Sequence, residues 1–215
     1  MYASKALIIL VRSNLALPQS YIINSLISRG CCGHLVWKTS DTLLRSLCSS
    51  SPADFDLFSN ISVEVPHTQL SITNIEADVA NSKKKLVIVV LDASGHESET
   101  LQIIENLITS YIELFRVSFI LEPCEFPQER ENNSIISDIL PKQSYNFKDC
   151  VDISESINRN VSAFYADYEK NYTRIDWSQS LEEAMKEKGG NQIILADNYL
   201  KEIGFRLGLC PKYGS

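Results

Sequence analysis

The chain has 215 residues, enough for one compact domain with an appendage, and its 44% hydrophobic and 22% charged residues exclude an intrinsically disordered chain. A net charge of −7 supplies no diffuse positive field, which argues against nucleic acid as a partner. Six cysteines, Cys31, Cys32, Cys48, Cys124, Cys150 and Cys210, are scattered without regular spacing over a chain too long to need disulfide staples, so reduced thiols are expected.

The first unit, Lys5 to Val11, is a continuous apolar run of the kind found in strands buried on both faces. Met1 to Val11 is too short an apolar stretch for a signal peptide or a membrane span, and no other segment reaches membrane length. No membrane insertion and a cytoplasmic location are expected. Pro18 opens a helix over Gln19 to Arg29, with Tyr21, Ile22, Leu26 and Ile27 at helical spacing and Gly30 as its end. His34 to Lys38 reads as a second strand, and Thr39-Ser40-Asp41 as the cap of a short helix through Leu47. Phe55 to Val65 alternates loosely and suggests an edge strand or hairpin ended by Pro66.

Lys83-Lys84-Lys85 precedes the second buried strand, Leu86 to Leu91, and reads as a solvated loop and gatekeeper. From Glu99 to Phe115 a wide apolar stripe at helical period marks a long helix, and Val117 to Leu121 is a third core strand. Strand, helix, strand with short links is a crossover unit, which implies a parallel sheet covered by helices. Glu122 to Ser144 reads as an exposed loop. Val161, Phe164, Tyr165, Tyr168 and Tyr172 fall on one helical face of Asn160 to Tyr172, and two further helices are expected over Ser178 to Lys188 and Ala196 to Leu207. The fold class is thus α/β, a mostly parallel sheet flanked by helices, with an α/β domain over residues 1–157 and a helical C-terminal segment over 158–215.

Such a scaffold binds phosphate, where it does, at the first strand-to-helix turn, through backbone amides and a lysine in GxxxxGK[ST]. Against that pattern Ser13 and Pro18 stand in place of glycines and Gln19 in place of the lysine, leaving Ser20 alone in agreement. Pro18 also lacks an amide proton. After the third core strand Leu121-Glu122-Pro123-Cys124 replaces a guanine-reading Asn-Lys-x-Asp. Asp92, at the end of the second core strand, has the position of a magnesium-orienting acid but is more simply a turn cap. Cys31-Cys32-Gly33-His34 offers three soft ligands with no fourth at zinc spacing, and of His34, His67 and His96, the histidines that could serve a thiol as base, the last two fall in expected loops, so a cysteine hydrolase is unsupported. No cofactor and no catalysis are expected.

The order of elements, with ALIILVRSNLALPQSYIINSLI, LVWKTSD, KLVIVVLDASGHESETLQ and ADNYLKEIGFRLGL, resembles the α- and γ-adaptin-binding protein family. Its members look like Ras-type GTPase domains of the P-loop class with degenerate nucleotide motifs and a helical C-terminal segment. The resemblance implies a non-enzymatic assembly chaperone for clathrin adaptor complexes that binds adaptin subunits. The implied contact is the C-terminal helix, where Tyr199, Ile203 and Leu207 form a stripe able to dock in a partner's groove or to pack on the sheet. One departure is the short link before the final helices. A degenerate RecA-like scaffold subunit, of the Elongator accessory or recombinase-paralogue type, also fits the first strands and Leu91-Asp92-Ala93, but such domains continue with further strands where helices are expected here. A hydrolase using Asp92 is the third alternative.

Overall fold

The computed structural model describes residues 5–13, 19–38, 40–49, 58–62, 72–93, 95–125, 147–148, 151–152, 161–171, 178–186 and 193–209. In chain order the elements are β1 (Ala6–Arg12), α1 (Tyr21–Arg29), β2 (Cys31–Val36), α2 (Leu43–Ser49), β3 (Phe58–Ser62), α3 (Ile72–Asn81), β4 (Leu86–Asp92), α4 (Glu97–Tyr111), β5 (Arg116–Glu125), β6 (Phe147–Lys148), β7 (Val151–Asp152), β8 (Val161–Tyr168), α5 (Leu181–Lys186), β9 (Ile193–Leu195) and α6 (Ala196–Arg206). Seven strands form one sheet in the order β3-β4-β1-β5-β8-β2-β9, while β6 and β7 pair separately.

β1 lies between β4 and β5 and runs parallel to both, as the crossover reading requires. The remaining pairs are parallel for β3 with β4 and for β2 with β9, but antiparallel for β8 with both of its neighbours. Six strands therefore point one way and β8 alone points back. The continuous apolar runs have a direct cause: every residue from Ala6 to Val11 is fully buried. Leu7, Ile9 and Val11 pack with Ile23, Ile27, Ile104 and Leu107, whereas Ala6, Ile8 and Leu10 pack with Leu43, Leu47, Leu200 and Ile203. Helices α1, α3 and α4 cover the first face, and α2 and α6 the second. Each such Leu, Ile or Val contributes about 1.5–3 kcal/mol by leaving water.

Several elements depart from the sequence-based expectation. Val161–Tyr168 is not a helix but the antiparallel strand β8 in the interior of the sheet, with Ala163, Phe164, Tyr165 and Ala166 buried. The boundary expected at residue 157 therefore precedes a strand of the same sheet, and residues 158–215 supply β9 as well as helices. β5 runs through Glu125 instead of ending at Leu121, with an irregularity in its pairing to β8 between Leu121 and Cys124. Its partner strand supplies the hydrogen bonds that a free loop would lack. α1 begins at Tyr21 behind Ser20, whose hydroxyl accepts from the Ile23 amide at 3.1 Å. Helix α3 and the three-residue β9 were not expected. The expected loop falls beyond Glu125 on residues outside those described, as do Pro18, His67, Tyr172 and Gly189-Gly190.

β8 carries its own polar anchor. Arg116 at the start of β5, only 2% exposed, grips Asp167 of β8 with two donors: Nε reaches Oδ1 at 2.9 Å and a terminal nitrogen reaches Oδ2. Ser118 donates to the same Oδ1 at 2.9 Å, and Glu169 lies 3.9 Å from the guanidinium. A charge so deeply buried is tolerable only when matched in this way. Next to it, Gly30 passes so close to β8 that a Cβ there would meet the Asp167 carbonyl oxygen at 2.5 Å and the Leu26 carbonyl oxygen at 2.9 Å. Gly30→Ala should accordingly cost about 1–3 kcal/mol by forcing α1 and β8 apart. An unchanged urea midpoint would contradict that contact.

Candidate functional site at the carboxyl edge

Ligands of open α/β sheets bind beyond the carboxyl ends of the strands, where β1, β4 and β5 end together here. Arg12 pairs in register with Asp92 on one side and Glu122 on the other. By the two-residue alternation of strands, the columns Ala6-Ile8-Leu10 and Leu86-Ile88-Val90 terminate in Arg12 and Asp92, and Ile120 is followed by Glu122 on the same face. One charged row thus crosses three strands where the apolar layer meets water. The turns behind it are tied by backbone: the Ala93 amide donates to the Arg12 carbonyl at 2.7 Å and the Ser13 amide to the Glu122 carbonyl at 2.9 Å. Gly95, at φ 79°, provides the left-handed step that sends the chain into α4, a conformation costly for any residue with a side chain.

Among the described residues two features of this edge could attract an anion, and each faces a carboxylate of the chain itself. The Arg12 guanidinium lies 3.7 Å from Glu122, with Asp92 opposite on the next strand. The positive N-terminal end of α1 is capped by Ser20, which at 4% exposure donates its hydroxyl to Glu105 of α4 at 2.7 Å. Ser13 is buried and Gln19 exposed. Among the described residues, a phosphate arriving here would meet one arginine between two acids.

The other sequence candidates are placed as follows. Cys31, Cys32 and His34 lie inside β2, all buried. His34 Nδ1 is 3.0 Å from the Ser162 hydroxyl, and its ring meets Phe164 edge-on. That spacing would suit a nucleophile and base, but both residues are fully buried and the bond joins β2 to β8. Among the described residues no three His, Cys, Asp or Glu side chains gather as a metal site. His96 precedes α4 without capping it through its side chain. No helix among the described residues is long and apolar enough to cross a membrane.

The stripe on α6 faces inward. Tyr199 is 2% exposed with its ring 4.8 Å from Tyr165, Ile203 is fully buried, and Leu207 packs partly buried on the same cluster. Burial holds the Tyr199 hydroxyl well above the usual phenol range. Of the residues expected to contact a partner, Tyr199 and Ile203 are therefore core residues joining α6 to the sheet, with Leu207 at the margin of that cluster, and the large apolar side chain that α6 exposes is Phe205.

The Arg12–Glu122 contact and the Ser20–Glu105 contact were missed from the sequence. A signal for the first was present, because three apolar runs each end in a charged residue. The second joins positions 85 residues apart and leaves no local trace. No family model, curated protein or solved structure matches the chain.

Burial pushes the Glu122 carboxyl above its ordinary value of 4.5, while Arg12 pulls it down by less. The folded chain then binds this proton more readily than the unfolded chain. Glu122 costs no stability below its unfolded pKa and a growing amount as pH rises through the folded one. Glu122→Gln should raise the melting temperature near pH 7 and leave it unchanged near pH 4; the reverse order in thermal scans would refute the assignment. Ile203→Asp should unfold the domain, costing about 4 kcal/mol or more. A natively folded Ile203→Asp variant by circular dichroism would show that α6 is not part of the core.

Proposed function

We propose that the chain is a non-enzymatic protein-binding factor of the adaptin-binding type, a cytoplasmic assembly chaperone that holds adaptin subunits before clathrin adaptor complexes form. One observation supports it above the others. At the carboxyl edge, where a phosphate-binding scaffold presents amides and a lysine, Arg12 stands between Asp92 and Glu122, and Ser20 at the start of α1 is bonded to Glu105. A parallel core of β3, β4, β1 and β5 with helices on both faces is the architecture that the family resemblance implies.

A second reading has its own support. Strands β8 and β9 follow the third core strand, and continuation by strands is what a degenerate RecA-like scaffold subunit would have.

Co-expression of the tagged chain with α- or γ-adaptin, followed by affinity capture and nucleotide analysis of the denatured eluate, separates the two. The expected result is an adaptin retained in stoichiometric amount, with no ATP or GTP released. A ring of this chain or of similar subunits on native mass spectrometry would replace the chaperone reading with the scaffold one, and bound nucleotide would overturn both.

A further inference from the structure

The two ends of the parallel strands differ in the balance of charge they carry. At the carboxyl edge the described acids Asp92, Glu122, Glu97, Glu99 and Glu105 outnumber the basic residues Arg12 and Lys38. The opposite, amino edge of the same strands is basic. Lys83, Lys84 and Lys85 lead into β4, Lys5 leads into β1, and Leu114 and Phe115 lead into β5. These three entries are locked side by side: the Ala6 amide donates to the Lys85 carbonyl at 2.8 Å, and the Arg116 amide to the Lys5 carbonyl at 3.0 Å. The Lys5 ammonium donates to the Ser82 carbonyl at 2.9 Å and lies 5.5 Å from the centre of the Phe115 ring, tying the lysine run to the apolar corner.

Within this edge Lys83 and Lys85 are exposed, and Leu114 is 65% exposed, far from the usual fate of a leucine. Arg29 and Lys170 extend the basic character along α1 and the end of β8, both bound to Glu113. Among the described residues the other carboxylates nearby are Asp167 and Glu169, buried on Arg116, Glu76, which accepts from the Ser110 hydroxyl, and Asp78, exposed one turn before the end of α3. Among its described residues the edge therefore carries more cationic than acidic side chains and one exposed apolar knob, Leu114, on a chain whose net charge is −7.

We infer that this amino edge, centred on Lys83, Lys85 and Leu114, is a docking surface for an acidic segment of a partner protein that also carries an apolar side chain. Charge complementarity selects the acid, and a single leucine matches one apolar residue of a peptide better than the several anchors a membrane surface requires. The inference goes beyond the adaptin reading and concerns a different part of the surface from the carboxyl edge.

The test is fluorescence anisotropy with a labelled peptide of Glu and Asp residues around one Leu, titrated with the full chain. Binding should weaken steeply between ~50 and ~500 mM salt. Lys83→Glu/Lys85→Glu should weaken it about tenfold or more, Lys83→Gln/Lys85→Gln by less, and Leu114→Ser by about threefold. The exposed positions leave the melting temperature unchanged in all three variants. Equal peptide affinity in wild type and the Glu variant would overturn the proposal. So would a wild-type chain that ignores the peptide but sediments with vesicles containing about one third phosphatidylserine.

Discussion

Everything in this fold depends on the burial of β1 from both sides. A strand whose residues Ala6 to Val11 see no water must be flanked edgewise by strands that satisfy its backbone, and covered above and below by apolar helix faces. β4 and β5 supply the first condition, and the helices on the two sheet faces supply the second. Because β1 is short, its burial ends abruptly at Arg12. The charged row at the carboxyl edge is a direct result, since this is the first register position at which the layer reaches solvent. What distinguishes the edge is its composition: an arginine between acids, and a helix N-terminus whose capping serine is bonded to a glutamate.

The far half of the sheet is held by a different interaction. β8 runs against its neighbours, and the bidentate grip of Arg116 on Asp167 joins it to β5 at a point where misregistration would strand a buried charge. A slip of one residue would turn Asp167 to the other face of the sheet and leave Arg116 without its partner. The pair thus fixes register more than it adds stability, and Gly30 permits the close approach of α1 that seals it.

How much of this was legible depended on how each segment is buried. Leu86–Leu91 and the stripe of α4 announce themselves, because a run of β-branched residues and an i, i+3, i+4 pattern each have one simple structural solution. Val161–Tyr168 misled for a physical reason. A strand buried on both faces shows no alternation, and Val161, Phe164, Tyr165 and Tyr168 happen to fall at helical intervals. α3 was obscured by its polar surface, with only Ile75 and Val79 among its described side chains buried. The stripe of α6 was seen correctly as apolar, but periodicity cannot tell a face that meets its own sheet from one that meets another protein. Asp167 and Arg116, 51 positions apart, could be joined only by the fold.

The position of β8 also has a consequence for how the chain is made. β2 leaves the ribosome long before β8 and β9, yet these two late strands are its only neighbours in the sheet. Until β8 emerges, β2 must wait with two unpaired edges and with residues that are all destined for burial. Such a long-range closure makes for slow maturation and a window of exposure to aggregation during translation. The parallel core of β3, β4, β1 and β5 can assemble well before that window closes, so the nascent protein passes through a half-sheet whose open border is β5.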